Sequence, residues 1–505
     1  MLTFTTAGES HGCGIVTVIE GLPAGLAVDL NEVNRELARR CQGFGRGVRM
    51  AIEQDTAEVL GGLRFGRTIG APLCILVRNR DWRKDEKPGD ALTVPRPGHA
   101  DLPGSLKYRR SDLRDILERA SARETVGRVA AGAVCKQLLW NLDIFIGSFV
   151  TAIGSARLET GIPYGSPFAL QAMHCRAERS PVRAVDPRLE RRMVRAIREA
   201  MARKDTLGGV FTVFAVNPPV GLGSHAQWRD RLTARIGMHM LSIPAVRSVE
   251  FGLGAAAAAL PGSRVHDPIT VHRGRLCRSG NNAGGVEGGI SNGESIVVSC
   301  AMKPIPTLGE PLQSVDLRTG RPAAAPVIRS DVTAVPACAV IGEAMLAVAL
   351  ATWVAHAGLW AALAAGHLPL AWWVLALIQG SAGAGGAAFF LASQRLLMAT
   401  VPGQGRSHFF ALHSCIVALG HGLGPVLWGM GLDLVGGWSA PLLGGTVNGT
   451  AALYLVAAGL LAVVLIASSR LEEPRAMPTA EFLRELLVRT PGRALARLAA
   501  LVDSR

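Results

Sequence analysis

Residues 96–139 read RPGHADLPGSLKYRRSDLRDILERASARETVGRVAAGAVCKQLL, and the change of character inside this stretch decides the fold. His99 sits in a Pro/Gly turn with Pro97 and Gly98. A basic run follows through Lys107, Arg109 and Arg110, and then Arg119, Ser121 and Arg123. From Val126 the apolar residues Val129, Ala130, Ala133, Val134 and Leu138 recur at helical spacing, with Ala and Gly between them. The sequence therefore predicts a polar, cation-rich segment running into a closely packed helix over 125–141. Chemistry on an anionic ligand is the first thing it suggests. Without a ligand, the same residues make a surface helix with charge pairs such as Arg123 with Glu118.

Moving outward, residues 1 to about 350 carry mixed charge, many glycine turns and short β-rich runs at 15–19, 73–77, 209–216 and 294–300. Further helices are predicted at 30–40, 111–118, 187–204 and 228–240. The net charge of +14 and isoelectric point near 10.0 suit an acidic small molecule, nucleic acid or a membrane surface. Aromatics make up 5% of the chain and do not interleave with the basic residues, so a nucleic-acid platform is not expected. The nine cysteines are scattered singly from Cys13 to Cys415 without a CxxC pair, which argues for free thiols and against a metal site. The start, MLTFTTAGESHG, lacks a basic n-region and an apolar h-region, so no signal peptide is expected and the early chain is placed in the cytosol.

Beyond Glu343 the composition changes. No Asp, Glu, Lys or Arg occurs from 344 to 394, or from 434 to 469. Apolar runs of this length predict membrane spans at about 344–365, 370–392, 408–430 and 446–468. Basic Arg395, Arg406 and the tail after Arg470 would then lie on the cytoplasmic side. Residues 471–505 read as basic amphipathic helix broken at Pro491.

Several constellations suit chemistry. Gly8-Glu9-Ser10-His11-Gly12 sets a hydroxyl beside an imidazole in a glycine turn before a strand. Arg39-Arg40-Cys-Gln-Gly-Phe-Gly45-Arg46 offers guanidinium forks on a glycine loop, suited to phosphate or carboxylate. The glycine-rich run 281–293 can turn backbone N–H groups toward a ring or phosphate. Lys303-Pro304-Ile305-Pro306-Thr307 stiffens a turn behind one cation, and Arg329-Ser330-Asp331 joins a cation to a carboxylate. Singly, each also reads as an ordinary turn or solvated basic face.

Together these segments resemble chorismate synthase. GESHG, RRCQGFGRG, RPGHADLPGSLKY, LERASARETVGRVAAGAV, NNAGGVEGGISNGE with AMKPIPTL, and RSDVTAVP follow that family's order and approximate spacing over residues 1 to about 350. The resemblance implies an α+β fold, a β-α-β sandwich. It also implies conversion of 5-enolpyruvylshikimate 3-phosphate to chorismate and phosphate by anti-1,4-elimination with reduced FMN. On that basis His11 meets the departing phosphate and His99 the reduced flavin, while Ser10 and Asp331 relay the proton taken by the flavin. Arg40, Arg46, Arg123 and Arg329 clamp the substrate. FMN contacts carry over to Arg119, Ala120, Ser121, Pro244, Ala245, Gly288, Lys303, Pro304, Ile305, Pro306, Thr307 and Arg329. Arg40 and Arg46 also match positions that touch NADP, with NADPH a candidate electron source. A homotetramer is implied.

The sequence departs from the family at Ser248, where Gly is expected in VRSVEFG, and at its C-terminus. The family helix starts at about Val340 and runs to about Ala351, after which its polar ending is missing. Gln379-Gly380, Arg395, residues 420–425 and Gly437-Trp438 resemble the last spans of a major-facilitator transporter. Three or four spans make no complete translocation path, and His408, His413 and His421 read as helix-packing or interfacial residues. The expected organisation is a catalytic domain at 1–352, an all-α membrane-like segment of three or four spans at 353–470, and a basic tail at 471–505. The competing readings are a membrane transport or anchoring protein with a degenerate enzyme part, and an accidental fusion.

Overall fold

The computed structural model describes residues 2–47, 55–80, 82, 90–272, 275–327 and 331–364, together with two short strands, Ser439–Leu442 and Gly445–Asn448. The chain divides into two units, Met1–Trp372 and Trp373–Arg505.

The first unit opens with β1 (Thr3–Ala7) and β2 (Gly14–Glu20), continues through α1 (Leu30–Cys41), and returns as β3 (Ala57–Gly61) and β4 (Leu73–Arg78). These strands form an antiparallel sheet in the order β1-β2-β4-β3. In β4, Leu73, Ile75 and Val77 are buried in alternation with their neighbours, the period-two pattern of a sheet with one face on the core. Asp29 caps α1 by accepting from Asn31 N at 2.8 Å.

Helices α2 (Asp101–Tyr108), α3 (Arg114–Ala120) and α4 (Thr125–Trp140) come next. The remaining elements are β5 (Phe145–Ile153), α5 (Pro167–Ala177), α6 (Pro187–Ala202), β6 (Gly209–Val216), α7 (Leu232–Leu241), β7 (Val246–Phe251), β8 (Ile296–Met302) and α8 (Val335–Ala364). A second antiparallel sheet runs β7-β8-β6-β5 and ends on the short strand Ala156–Arg157. The predicted helix at 228–240 is shorter than expected: Trp228–Asp230 is a 3₁₀ turn and α7 starts at Leu232.

Helix α4 lies on the first sheet, α8 lies on the second, and the two helices pack on each other. This is the expected sandwich, and its small residues explain how four layers fit. A Cβ at Gly127 would sit 2.6 Å from Thr17 Oγ1 in β2. One at Gly132 would overlap Ala344 of α8, and one at Gly342 would sit 2.7 Å from the Phe211 ring in β6. The backbone approaches as closely as it does because no side chain stands between the layers.

Helix α8 corrects the first expected span, 344–365. It begins at Val335, and residues 335–351 are buried almost without interruption against α4, β5 and β6. Val335–Val354 is long and apolar enough to cross a membrane by length and composition, and most of it is inside the protein. A helix packed on all sides is apolar on all sides, so hydropathy alone does not separate the two environments. The expected spans 370–392 and 408–430 and the tail 471–505 lie outside the described residues. So does 446–468, save where it overlaps Gly445–Asn448, which is strand.

Candidate active site

The turn Gly8–Gly12 joins β1 to β2 and is held from two sides. On one side Ser10 N donates to Glu118 O at 3.0 Å, and Ser10 Oγ donates to Ser121 Oγ at 3.0 Å. His11 donates its backbone N–H to Glu118 Oε2 at 2.8 Å, and its Nδ1 lies 2.7 Å from Glu118 Oε1. Arg119 ties the same helix to β1 by donating to Gly8 O at 3.1 Å and Thr6 O at 2.8 Å. The sequence-expected pair of Arg123 with Glu118 is not formed: Glu118 serves His11, and Arg123 turns inward.

On the other side stands Asn79, at the end of β4. Its Nδ2 lies 3.1 Å, 3.2 Å and 2.6 Å from the carbonyl oxygens of Glu9, Ser10 and Gly12, while its Oδ1 accepts from Arg123 Nε at 2.7 Å. Three acceptors around one nitrogen and a guanidinium on the oxygen settle which way the amide points.

Three guanidinium groups gather beneath this turn. Arg40 and Arg123, both buried, share Asp55: Arg40 Nη1 at 3.4 Å and Arg123 Nη1 at 2.8 Å. Arg40 Nε also donates to Thr125 Oγ1 at 2.9 Å, and Nη2 to Ala122 O at 3.1 Å. Burial pushes the Arg40 guanidinium down from its ordinary pKa; the Cys41 and Asp55 charges oppose this, while Arg46 and Arg123 add to the fall. Among the described residues Arg40 and Arg123 share the one carboxylate of Asp55, and a cationic pocket of this kind suits a phosphate or carboxylate. Arg46 Nη1 lies 3.1 Å from Asp331 Oδ2, and Gly47 N donates to Asp331 Oδ1 at 2.7 Å. Arg46 Nε is buried without a hydrogen-bond partner among the described residues, an orphaned donor of the kind an anion would satisfy. Arg329 lies outside the described residues.

His99 belongs to a second cluster. Its Nδ1 is 2.5 Å from Asp101 Oδ1 and 3.0 Å from Arg96 Nη2, while Arg96 Nε donates to Asp101 Oδ2 at 2.8 Å. Burial would raise the Asp101 carboxyl, but the bonds from His99 and Arg96 outweigh it and hold the group well below the usual range. Arg96 Nη1 reaches Thr307 Oγ1 at 3.3 Å, and Lys303 Nζ donates to Gly98 O at 2.5 Å, so the two proline-stiffened turns are locked together. Lys303 N donates in turn to Ala245 O at 2.9 Å, bringing Pro244 and Ala245 to the same place. The two clusters are linked through Glu124, which accepts from Thr6 Oγ1 at 2.9 Å and Arg128 Nε at 2.8 Å, while Arg128 Nη1 donates to Ser242 Oγ at 2.8 Å.

The structure thus collects Ser10, His11, Arg119, Ala120 and Ser121 at one place and Arg40 with Arg123 below them. It sets Asp331 with Arg46, and His99 with Lys303–Thr307 and Pro244–Ala245. Gly288 lies apart from these contacts, in the turn of the hairpin Val286–Glu287/Ile290–Ser291 that docks on Leu232 at the start of α7. Sequence reasoning missed Asp55, Asn79, Arg96, Asp101 and the role of Glu118. The first two lie outside every recognised motif, and only tertiary contact reveals them.

Comparison with known proteins agrees with this assembly. The family model described as chorismate synthase matches residues 2–355. Curated chorismate synthases from Aquifex aeolicus and Moorella thermoacetica are each 50% identical to the chain. They align over 364 and 361 residues, covering 69% and 70% of this chain and 92% of each relative. A crystal structure of chorismate synthase superposes with a TM-score of 0.59 at 44% identity, covering 70% of this chain and 92% of that one. The chain belongs to the chorismate synthase family.

Within the chorismate synthase portion, the adjacent Arg39 and Arg40 have separate duties. Arg40 binds Asp55, Thr125 and the Ala122 carbonyl. Arg39 points the other way, into a buried ionic cluster with Glu36, Glu178 and Glu343; Arg39, Glu36 and Glu178 line a cavity with Lys136, Trp140 and His174. In that cluster three carboxylates face Arg39, Lys136 and Arg183, so charge is balanced and the role is architectural.

The residues expected at FMN include cations that fit an anionic group. Lys303 is lowered in pKa by partial burial and then by the like charge of Arg247, a pair of cations that gains from a phosphate placed nearby. A side chain at Gly288 would meet nothing within 4 Å, so the hairpin turn leaves open room beside its backbone.

Proposed function

We propose that the chain is a chorismate synthase converting 5-enolpyruvylshikimate 3-phosphate to chorismate and phosphate by anti-1,4-elimination. The observation that carries this reading is the meeting of two distant motifs, with Ser10 on Ser121 and His11 on Glu118, beside Arg40 and Arg123 gathered on Asp55. Reduced FMN, when bound, supplies electron density to the breaking carbon–oxygen bond and a base for the ring hydrogen. Arg119, Ala120, Ser121, Pro244, Ala245, Gly288, Lys303–Thr307 and Arg329 would hold it.

The chain's own groups account for the rest. His11 is exposed on the turn and offers a hydrogen to the leaving phosphate. Arg40, Arg46, Arg123 and Arg329 neutralise the substrate's carboxylates and phosphate, charge that binding would otherwise bury unpaired. His99, gripped by Asp101 and Arg96, has a fixed ring plane and serves the flavin side. Ser10 and Asp331 would carry a proton away. The same reading takes NADPH as electron source through Arg40 and Arg46, a homotetramer as the assembled state, and the cytoplasm as the place of the catalytic part. A membrane tether beyond residue 352 is supported by sequence alone, through the charge-free runs 365–394 and 449–469.

Anaerobic assay of the full chain with chemically reduced FMN and 5-enolpyruvylshikimate 3-phosphate tests the proposal. Stoichiometric release of chorismate and inorganic phosphate is expected. Absence of both under conditions where the chain binds flavin sinks it.

A further inference from the structure

We propose that Glu118 is a positioning residue that sets the tautomer and the aim of His11. The proposal rests on the reading of His11 as the group that meets the leaving phosphate.

Glu118 is anchored to the catalytic turn through its own backbone, because its carbonyl accepts from Ser10 N at 3.0 Å. Its two carboxylate oxygens then both address the next residue. Oε2 accepts from His11 N at 2.8 Å and Oε1 lies 2.7 Å from His11 Nδ1. An ionised carboxylate has only acceptors, so the hydrogen in the second bond belongs to Nδ1. The ring therefore keeps a hydrogen on Nδ1 in either charge state and exchanges its proton at Nε2. That leaves Nε2 as the atom facing an incoming phosphate oxygen.

The grip also fixes direction. The His11 side chain is 57% exposed, and among the described residues it has no other side-chain hydrogen bond. An exposed imidazole without a second contact samples several rotamers. Two bonds from one carboxylate, to the backbone N–H and to the ring, close a cycle that selects one of them. Glu118 is otherwise dispensable to the turn's side-chain network, since Asn79 and Ser121 hold Glu9, Ser10 and Gly12 independently.

Glu118→Gln keeps the shape but offers one acceptor and one amino group, so it cannot accept from both His11 donors. Nitrogen NMR of the full chain labelled in its histidines should show the Nδ1–H form of His11 in the unmutated protein and a mixed or Nε2–H form in Glu118→Gln. Turnover in Glu118→Gln should fall by about tenfold or more, part of the hundredfold-plus that a placed proton carrier contributes. KM for substrate and flavin affinity should stay within about twofold. In a His11→Ala background the same substitution should cost nothing further.

Equal losses in both backgrounds overturn the proposal, as does an Nε2–H tautomer in the unmutated chain, a measurement that needs no variant. Full turnover in Glu118→Gln alongside a crippled His11→Ala overturns the proposal alone. Full turnover in His11→Ala overturns the role given to His11 itself.

Discussion

Arg39 Nη1 lies 2.8 Å from Glu343 Oε2, a bond between residues 304 positions apart that pins α1 to α8. Glu343 is wholly buried, and Arg183 Nη2 at 3.1 Å, Ser148 Oγ at 2.5 Å and Lys136 complete its surroundings. Removing it leaves three cations in the core without their shared counter-charge. Glu343→Ala should therefore destabilise the catalytic portion by about 3–5 kcal/mol, the cost of breaking a buried pair from one side. Urea denaturation followed by tryptophan fluorescence measures this; a change under 1 kcal/mol would mean that water or rearrangement relieves the cations.

The same cluster sets an acid limit. Burial alone would raise the Glu178 carboxyl, but the bond from Arg39 and the charge of Arg183 outweigh it and bring it to about 2. Glu343 and Glu36 are also held below the ordinary value near 4.5, against burial, by Arg39 and Lys136. Depressed carboxylates contribute stability that is complete above the unfolded value and is lost as pH falls through the folded one. Stability owed to these carboxylates should fall between about 4.5 and about 2, while His174, which burial holds below its ordinary value near 6.5, adds a loss that begins as pH falls through about 6.5. In Glu178→Gln the fall should be shallower in a pH series of urea midpoints.

The layer spacing can be tested at Gly132. Its missing Cβ is what lets α4 meet Ala344 of α8. Gly132→Ala raises helix propensity, yet the overlap should make the net effect destabilising by about 1–3 kcal/mol. A thermal midpoint at or above that of the unmutated chain would show that the helices can part without loss.

Cysteine chemistry gives a map of the packing. Burial pushes the Cys135 and Cys300 thiols up to about 12 and raises Cys338 as well, while Cys13 and Cys175 are exposed. A thiol reagent at pH 8 should label Cys13 and Cys175 in the native chain and spare the three buried thiols until it unfolds. Peptide mass spectrometry after brief labelling reads the result.

Asn79 is the keystone of the turn Gly8–Gly12. Asn79→Asp keeps the shape but sets a carboxylate oxygen against the carbonyls of Glu9, Ser10 and Gly12. The lost donor should cost about 1–3 kcal/mol and lower kcat more than it weakens flavin binding. Equal effects on both would assign Asn79 to general stability only.

Much of this was legible in the sequence because the signals were local. Strand β6 appears where its β-rich run stands, and α4 follows its apolar spacing to within one residue. The strand Phe145–Ile153 gave no alternation, because seven of its nine residues are buried in the pattern iBBBBBiBB. Helix α8 misled for a related reason: a core helix touching protein on every side has the composition of one touching lipid. At the site, the ordered motifs disclosed His11, His99 and the arginines, but not who holds them. Asp55 and Asn79 are single polar residues in unremarkable surroundings, and their meaning arises only when β4 is laid beside the turn. Glu118 was visible, though the charge pair with Arg123 read from the sequence is not the one it makes.

The placing of α8 also orders events during synthesis. Thr352 Oγ1 donates to Leu2 O at 3.2 Å, so the last helix of the catalytic part closes on the first residues made. With 304 positions between Arg39 and Glu343, and roughly 5–20 residues added per second, about 15–60 s separate the two ends of one ionic contact. Towards the end of that interval the nascent chain carries Arg39, Lys136 and Arg183, with α8 still missing from between α4 and the second sheet. The most vulnerable state of this protein is therefore the one still on the ribosome, and a chaperone that shields that gap is the helper its topology calls for.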